Sequence, residues 1–302
     1  MKNFKIAVCI SGLIRYWEQT YPLFEYWNKL FDNVDFYFFI STWENPKEFI
    51  GLRDENQKYR DLIEKSLDFN FSNHKFITDY SLMSRKDILH LLDEIDTTIP
   101  KESQKSIKTF IHMAYGIKNV QELRKKYEQQ KGWLKFDGVI QTRNDAFLSK
   151  KTLEQYKNLI KYNKFLNDKS IYIPGGCSVQ SGEQHLFIND NLSFGSPAVM
   201  NMYGEMFDEI FVKGSIQQKK LHFAPAYYFH YKNISVYDMG VTKIIRPAFF
   251  KKEENKMWDL QGHPTPEVMT EILETEGVEY FFNELSKVVD SRFDEYWDRI
   301  NE

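Results

Sequence analysis

The sequence has little cysteine, no long apolar run and no large excess of either charge. Its only cysteines are Cys9 and Cys177, which excludes a disulfide framework and predicts a reducing, cytoplasmic location. Apolar runs such as 36–40 are far too short to span a bilayer, although peripheral membrane contact is compatible with them. The net charge of -3 argues against a nucleic-acid-binding protein, which usually carries a basic excess.

Standard cofactor and metal motifs are also missing. Gly12 follows an apolar run, but the second and third glycines of a dinucleotide fingerprint are absent, and so is the Gly-Lys-Ser/Thr of a P-loop. The seven histidines include no His-Glu-x-x-His pair. Any ligand site must therefore be identified from less familiar patterns.

What the chain does have is a hydrophobic and aromatic composition arranged as alternating strands and helices. Hydrophobic residues make up 42% of the chain and aromatic residues 16%, which is enough for a large core without staples. The run 5–10 predicts a buried strand, aromatic residues at helical spacing over 17–31 predict a helix, and 34–40 predicts a second strand. This order is typical of a parallel βαβ unit, so we expect an α/β fold.

Later segments continue the same pattern. An apolar stripe over 107–127 predicts a long helix, and 136–142 predicts another central strand. Ser196-Pro197 predicts a helix start, with the serine as cap and the proline in the first turn. Further strands are predicted at 170–173, 185–188 and 234–237, and two packing helices are predicted after Pro264.

The polar cluster Arg143-Asn144-Asp145 follows the predicted strand 136–142. Open α/β sheets bind ligands at the carboxyl ends of their parallel strands. The Asp145 carboxylate could ligate a hard cation, and the Arg143 guanidinium could pair with phosphate. The alternative is that Asp145 caps a turn and Arg143 is a surface residue.

Two other clusters are compatible with a ligand site. After the first strand, Gly12 would let backbone approach a ligand closely, and Arg15 could reach a phosphate, unless this is an ordinary strand-to-helix turn. Further on, Asp190 could act as a general base on a hydroxyl, although an isolated Asn-Asp pair is more often a turn.

Together, these segments resemble a group of short glycosyltransferases found in bacterial surface-glycan, lipopolysaccharide and large-virus glycan clusters. The resemblance is carried by 6–12 with Arg15, by 35–43 and by 136–145, and it continues at 189–191 and 194–197. It spans roughly residues 4 to 246.

The resemblance implies a GT-A-like fold, with a mostly parallel central sheet flanked by helices. It implies a glycosyltransferase domain over 1–246, with a nucleotide-binding half to about residue 145, an acceptor half over 146–246, and a helical extension over 247–302. The implied activity is of the hexosyltransferase type. A nucleotide-sugar would be the donor, and a hydroxyl of a glycan or glycolipid would be the acceptor.

The resemblance also assigns residues to the nucleotide-sugar. Ser11, Gly12 and Arg15 would line the nucleotide pocket, and Thr42 and Trp43 would border the base or the sugar.

Catalytic and metal roles come from the same resemblance. Arg143 and Asp145 stand at the family's Arg-x-Asp, where other GT-A enzymes have two aspartates, and both would contact the donor. Either Asp145 holds Mn²⁺ or Mg²⁺ at the diphosphate, or Arg143 supplies much of that charge. Asp190 matches the aspartate of an Asn-Asp-Gln motif, although Asn191 replaces the glutamine. It would deprotonate the acceptor in an inverting reaction, and it would orient or electrostatically support the transition state in a retaining one.

Two other functions remain open from the sequence. One is a sugar nucleotidyltransferase on the same kind of sheet. The other is a nucleotide- or glycan-binding protein without catalysis, which the missing second carboxylate leaves open.

Overall fold

The computed structural model describes most of the chain, and the described residues form nine β-strands and eight helices that are named below. The described residues are 3–14, 17–49, 71–95, 97–98, 101–162, 168–173, 178–179, 186–187, 192–214, 224–238 and 266–287. The strands are β1 Phe4–Ser11, β2 Val34–Trp43, β3 Ile77–Met83, β4 Gly138–Thr142, β5 Ser170–Ile173, β6 Ser178–Val179, β7 Leu186–Phe187, β8 Leu192–Gly195 and β9 Ser235–Asp238. The helices are α1 Trp17–Leu30, α2 Leu89–Asp93, α3 Lys101–Gln130, α4 Lys150–Tyr162, α5 Pro197–Phe207, α6 Ala224–Tyr231, α7 Pro266–Thr275 and α8 277–287.

Seven strands form one sheet in the order β3-β2-β1-β4-β8-β5-β9. Six of them run in the same direction, because β8 alone is antiparallel to its neighbours β4 and β5. Strands β6 and β7 form a separate two-stranded ladder. The mostly parallel sheet, its flanking helices and the helical C-terminal region confirm the expected α/β class and its GT-A-like layout.

The sheet has two differently packed faces, because successive side chains of a strand point to opposite sides. Ala7, Cys9 and Phe39 belong to the core on the side of α3 and α5, which we call the α3 face. Val8 and Phe38 belong to the core on the side of α1, α4, α7 and α8, which we call the α1 face. The sheet therefore separates two cores.

Helix α5 begins where the sequence predicts. The Ser196 hydroxyl accepts a hydrogen bond from the Val199 N–H at 3.3 Å, and Pro197 occupies the first turn, where a missing N–H costs nothing. The cap fixes the start of the helix that packs beside α3.

Three strands, β3, β6 and β8, were not predicted from the sequence, and two of them belong to the seven-stranded sheet. Strand β3 lies at the edge of the sheet and leaves Tyr80 and Leu82 exposed, so it lacks the continuous apolar run of a central strand. Strand β8 has only four residues, although all of them are buried. In both strands, tertiary pairing outweighs a weak local signal.

Helix α3 runs antiparallel to β2 and continues past the carboxyl end of the sheet. His112 packs against Trp43 at the end of β2, whereas Tyr127 packs against Phe39 further back along it. Since an α-helix rises about 1.5 Å per residue, the turns before His112 carry α3 roughly 16 Å beyond the strand ends. The helix thereby walls one side of the space above the carboxyl edge.

The described C-terminal helices pack against the α1 face. The Gln19 Nε2 donates to the Thr270 hydroxyl at 3.0 Å, and the Phe282 ring lies 5.3 Å from that of Tyr26 and 5.2 Å from that of Phe147. The division at residue 246 stays a prediction. Among the helices in the described part of the chain, none is long and apolar enough to cross a bilayer.

Candidate functional site

Neighbouring strands β1 and β4 define the place where an open sheet of this kind accepts a ligand. From β1 the chain continues through β2 to β3 at one edge of the sheet, whereas from β4 it continues to β5 towards the other edge. Open α/β sheets bind ligands where the strand order reverses in this way, in a crevice at the carboxyl ends of the two strands. Ser11 and Gly12 lie on one side of this point, and Thr142 and Arg143 lie on the other.

Gly12 leaves open space at the end of β1. Its φ of +113° is strained for any residue with a side chain, and its N–H donates to the Ser41 carbonyl at 3.1 Å. A Cβ built at Gly12 would meet no atom of the described residues within 4 Å. Backbone at this turn can therefore be approached closely.

Arg143 and Asp145 form a two-point ion pair just after β4. Arg143 Nε lies 2.7 Å from Asp145 Oδ1, and Arg143 Nη2 lies 2.6 Å from Oδ2. The aspartate side chain is 4% exposed and the arginine side chain 26% exposed. A paired carboxylate below a partly exposed guanidinium fixes the orientation of the cation at the edge of the sheet.

The same pair bears on the expected metal ion. Both Asp145 oxygens already accept hydrogen bonds from a cation, and a second cation beside that guanidinium would be repelled. Within the described ranges, no three His, Cys, Asp or Glu side chains form a group that could hold a metal ion. The arrangement does not fit Mn²⁺ or Mg²⁺ while Asp145 is paired with Arg143, and the metal stays a prediction.

Thr42 and Trp43 occupy the end of β2 on opposite faces. The Thr42 hydroxyl is buried and meets no hydrogen-bond partner within the described residues. The Trp43 ring is 4% exposed and packs at 5.0 Å from Phe49 and 5.3 Å from His112. Trp43 is thus held as part of the wall rather than as an exposed stacking surface.

His112 on α3 is a buried titratable group that the sequence analysis did not single out. Its Nδ1 lies 2.6 Å from the Lys108 carbonyl, while Nε2 has no partner within the described residues. Burial lowers the pKa of His112 to about 4, so the ring is neutral at physiological pH. With Nδ1 as the donor, Nε2 presents a lone pair beside Trp43.

A chain of buried polar side chains, also missed from the sequence, begins at Ser11. The Gln141 Nε2 donates to the Ser11 hydroxyl oxygen at 2.9 Å, and the Gln121 Nε2 donates to Gln141 Oε1 at 2.9 Å. The Arg124 Nε then donates to Gln121 Oε1 at 3.1 Å. Gln141, Gln121 and Arg124 are each at most 2% exposed. We call these four residues the Ser11 relay.

The far end of the Ser11 relay is anchored by two helices. Arg124 Nη1 lies 2.9 Å from Glu128 Oε2 on the same helix, and Nη2 donates to Asn201 Oδ1 on α5. Burial raises the pKa of Glu128, although Arg124 opposes that shift. Burial also raises the pKa of the neighbouring Cys9 thiol to about 12, so it is uncharged.

The sequence did contain a signal for the Ser11 relay. Arg124 is four residues beyond Val120 and seven beyond Ile117, so it falls on the buried stripe of the helix, where a charge needs partners. Gln141 likewise interrupts an apolar strand after Val139 and Ile140. Polar residues at core positions were the overlooked pattern.

Two residues assigned by the resemblance, Arg15 and Asp190, lie outside the described residues, as does Asn191. Their roles therefore stay predictions. The remaining assigned residues lie at the carboxyl ends of three neighbouring strands. Ser11 and Gly12 end β1. Arg143 and Asp145 follow β4 on one side of β1, and Thr42 and Trp43 end β2 on its other side.

A comparison of the chain with models of protein families and with curated proteins finds no match to either.

Proposed function

We propose that the protein is a glycosyltransferase of the hexosyltransferase type. It would move a sugar from a nucleotide-sugar donor to a hydroxyl of a glycan or glycolipid acceptor. The proposal rests on the GT-A-like layout and on the resemblance of the segments that end β1, β2 and β4. Fold alone does not define function, so the site must carry the argument.

The observation that carries the proposal is the meeting of three features at the β1/β4 crevice. Gly12 leaves space beside the backbone, Ser11 presents a hydroxyl, and Arg143 presents a guanidinium with fixed orientation. Open backbone, a polar donor and an oriented cation are what an anionic nucleotide requires.

In the proposed reaction, Arg143 stabilises the diphosphate as the bond to the sugar breaks and negative charge grows on the leaving oxygen. Asp145 holds the guanidinium in place, which avoids the cost of ordering it during the reaction. By the resemblance, Arg15 would add positive charge, and Asp190 would take the acceptor proton if the reaction inverts configuration.

A second candidate is a nucleotide-binding protein without transfer activity. The commitment of both Asp145 oxygens to Arg143 favours it, because no carboxylate is then left for a metal at that position. It differs from the first proposal in one result: a nucleotide-sugar would bind and remain intact.

The test is calorimetric titration with UDP, GDP, CDP, CMP and dTDP, each with and without Mn²⁺. We expect selective binding of one nucleotide without metal, and release of that nucleotide when its sugar conjugates are incubated with the enzyme. Arg143→Met should weaken binding by about 10- to 100-fold, the range for a hydrogen bond to a charged group.

The matched control is Lys213→Met, which removes the same charge from an exposed side chain after α5 and should leave binding unchanged. Failure of a well-folded sample to bind any of the five nucleotides would reject the proposal. Binding of an intact nucleotide-sugar without turnover would support the second candidate. Binding only with Mn²⁺ would show that Arg143 and Asp145 separate to admit a metal.

A further inference from the structure

We propose that the Ser11 relay fixes the Ser11 hydroxyl as a hydrogen-bond donor to an acceptor oxygen of the bound nucleotide. This inference rests on the proposed function and extends it. It adds Gln141, Gln121 and Arg124 as positioning residues, acting through Ser11 without touching the ligand.

The direction of the Ser11 relay follows from the chemistry of its first member. Arginine has N–H donors and no acceptor, so Gln121 must turn its carbonyl oxygen towards Arg124 Nε. Its amide nitrogen then faces Gln141, so the side-chain carbonyl oxygen of Gln141 must accept that hydrogen bond. Neither amide can be flipped without placing donor against donor or acceptor against acceptor.

The last bond of the Ser11 relay determines the role of the hydroxyl. The Gln141 Nε2 donates to Ser11 Oγ, so one lone pair of that oxygen is used and its proton must point elsewhere. Within the described residues, that proton meets no hydrogen-bond acceptor. Ser11 is the last residue of β1 and is 9% exposed, so the O–H lies at the rim of the crevice.

A gap large enough for a methyl group lies beside this hydroxyl. Gly116 of α3 faces it, and a Cβ built there would lie 3.6 Å from both Ser11 Oγ and the Gly12 nitrogen. A donor in a recess next to backbone suits an oxygen of a phosphate or of a base carbonyl. An amino group suits it less well, because it could donate only to the second lone pair of Ser11 Oγ and would leave the hydroxyl proton without an acceptor.

The cost of the Ser11 relay supports a function beyond packing. Burying a guanidinium and two amides is unfavourable unless every group is paired, and an apolar core of the same volume is often as stable. Here the paired groups lead in one direction, from the α3–α5 interface to the crevice. Each amide accepts a hydrogen bond through its oxygen and donates one through its nitrogen, so the group that faces Ser11 at the rim is again an N–H donor.

The experiment is a double-mutant cycle on nucleotide affinity and on stability. The variants are Ser11→Ala, Gln141→Met and the double variant, with Ser11→Thr retaining the hydroxyl. Each is titrated with the tightest binder among UDP, GDP, CDP, CMP and dTDP, and each is unfolded in urea.

We expect Ser11→Ala to weaken binding by about 10- to 100-fold and Gln141→Met by about 2- to 10-fold, as for charged and neutral hydrogen bonds. In the Ser11→Ala background, Gln141→Met should have no further effect on affinity, although it should still lower stability. Ser11→Thr should bind like the wild type. A purely structural Gln141 would instead change affinity equally in both backgrounds.

The outcomes separate this inference from the function on which it depends. If the wild type binds a nucleotide and the two substitutions lower its affinity additively, the proposed role of the Ser11 relay is rejected, whereas the proposed function stands. No binding of any nucleotide by wild type overturns both proposals. Parallel titrations with pyrophosphate and with the matching nucleoside identify the acceptor: a Ser11→Ala loss with pyrophosphate assigns it to phosphate, and a loss with the nucleoside assigns it to the base.

Discussion

The two faces of the sheet solve burial in opposite ways. On the α1 face, large rings pack against each other, and the buried Trp27 Nε1 and Tyr156 hydroxyl meet no hydrogen-bond partner within the described residues. On the α3 face, buried amides and the guanidinium of Arg124 are bonded to each other in sequence.

The difference shows how one sheet can separate stability from ligand binding. Dispersion and hydrophobic burial on the α1 face are non-directional, so they hold the fold without fixing any polar group at the crevice. Hydrogen bonds on the α3 face are directional and end at Ser11. We therefore expect substitutions on the α1 face to change unfolding free energy only, and those on the α3 face to change nucleotide binding as well.

The largest expected effect is on the α1 face. Trp27 is 1% exposed and lies 5.1 Å from the Phe24 ring, so Trp27→Ala should lower the free energy of unfolding by about 3–5 kcal/mol. The measurement is urea denaturation, with Trp133→Ala as the control, since that ring is 71% exposed. Nucleotide affinity at a temperature where the variant is folded should equal that of wild type, and a parallel loss of affinity would break the comparison.

Arg124→Met should lower the free energy of unfolding by about 3 kcal/mol at pH 8, because Glu128 loses the partner of its half-buried charge. Burial already raises the pKa of Glu128, and removing Arg124 should raise it further. The folded variant then binds a proton more readily than the unfolded chain does, so its deficit should shrink as the pH falls towards 5.

The control for this pH dependence is the double variant Arg124→Met/Glu128→Gln, which has no carboxylate to titrate at that position. Its deficit relative to Glu128→Gln should be the same at pH 5 and pH 8. If the deficit of Arg124→Met were equally constant, Glu128 would not be the group responsible. Arg124→Met should also weaken nucleotide binding, unlike Trp27→Ala.

Two helix glycines on the α3 face should respond with opposite signs. A Cβ at Gly204 would lie 2.9 Å from the Gln121 Cβ, so Gly204→Ala should overpack the α3–α5 interface and cost about 1–3 kcal/mol. A Cβ at Gly116 would make ordinary contact at 3.5 Å with the Ser11 Cβ, so Gly116→Ala should gain up to about 1 kcal/mol from helix propensity.

A nucleotide titration of Gly116→Ala tests whether its effects on stability and on binding differ. Gly116→Ala fills the recess beside Ser11 and the Gly12 nitrogen, so it should bind nucleotide more weakly although it is more stable. Equal or tighter binding would place the ligand away from this recess.

The smallest effect concerns Cys9, a buried thiol beside the Ser11 relay. Because burial raises its pKa to about 12, almost no thiolate exists at neutral pH, and the thiol should not react with a disulfide reagent in the native protein. The measurement uses Cys177→Ser, which leaves Cys9 as the sole thiol, and compares native with urea-unfolded protein. Rapid native labelling would show that the α3 face opens.

Much of the fold followed from periodicity, whereas the organisation of the site did not. The buried strand before Ser11 and the long helix through Val120 have strong local patterns, and both form as predicted. Strands β3 and β8 depend on partners far along the chain, so their short segments carry little local signal.

The same reason explains what was missed at the site. Arg143 and Asp145 were singled out because they directly follow a strand, but their mutual ion pair depends on side-chain geometry that spacing does not give. Gln121 and Gln141 are distant in sequence and meet only through the packing of α3 on the sheet. Polar residues within apolar runs could have marked them, although not their partners.

The hydrogen bond between Arg124 and Asn201 has a consequence for folding during synthesis. Strands β1 to β4 and helix α3 are complete once residue 142 has left the ribosome, and they can pair among themselves. Asn201 and the β8 strand that closes against β4 arrive about 60 residues later, a delay of several seconds at typical elongation rates. During this delay the Arg124 guanidinium would lack its Asn201 partner. Docking of α5 would then complete the core on the α3 face and the rim of the crevice in one event.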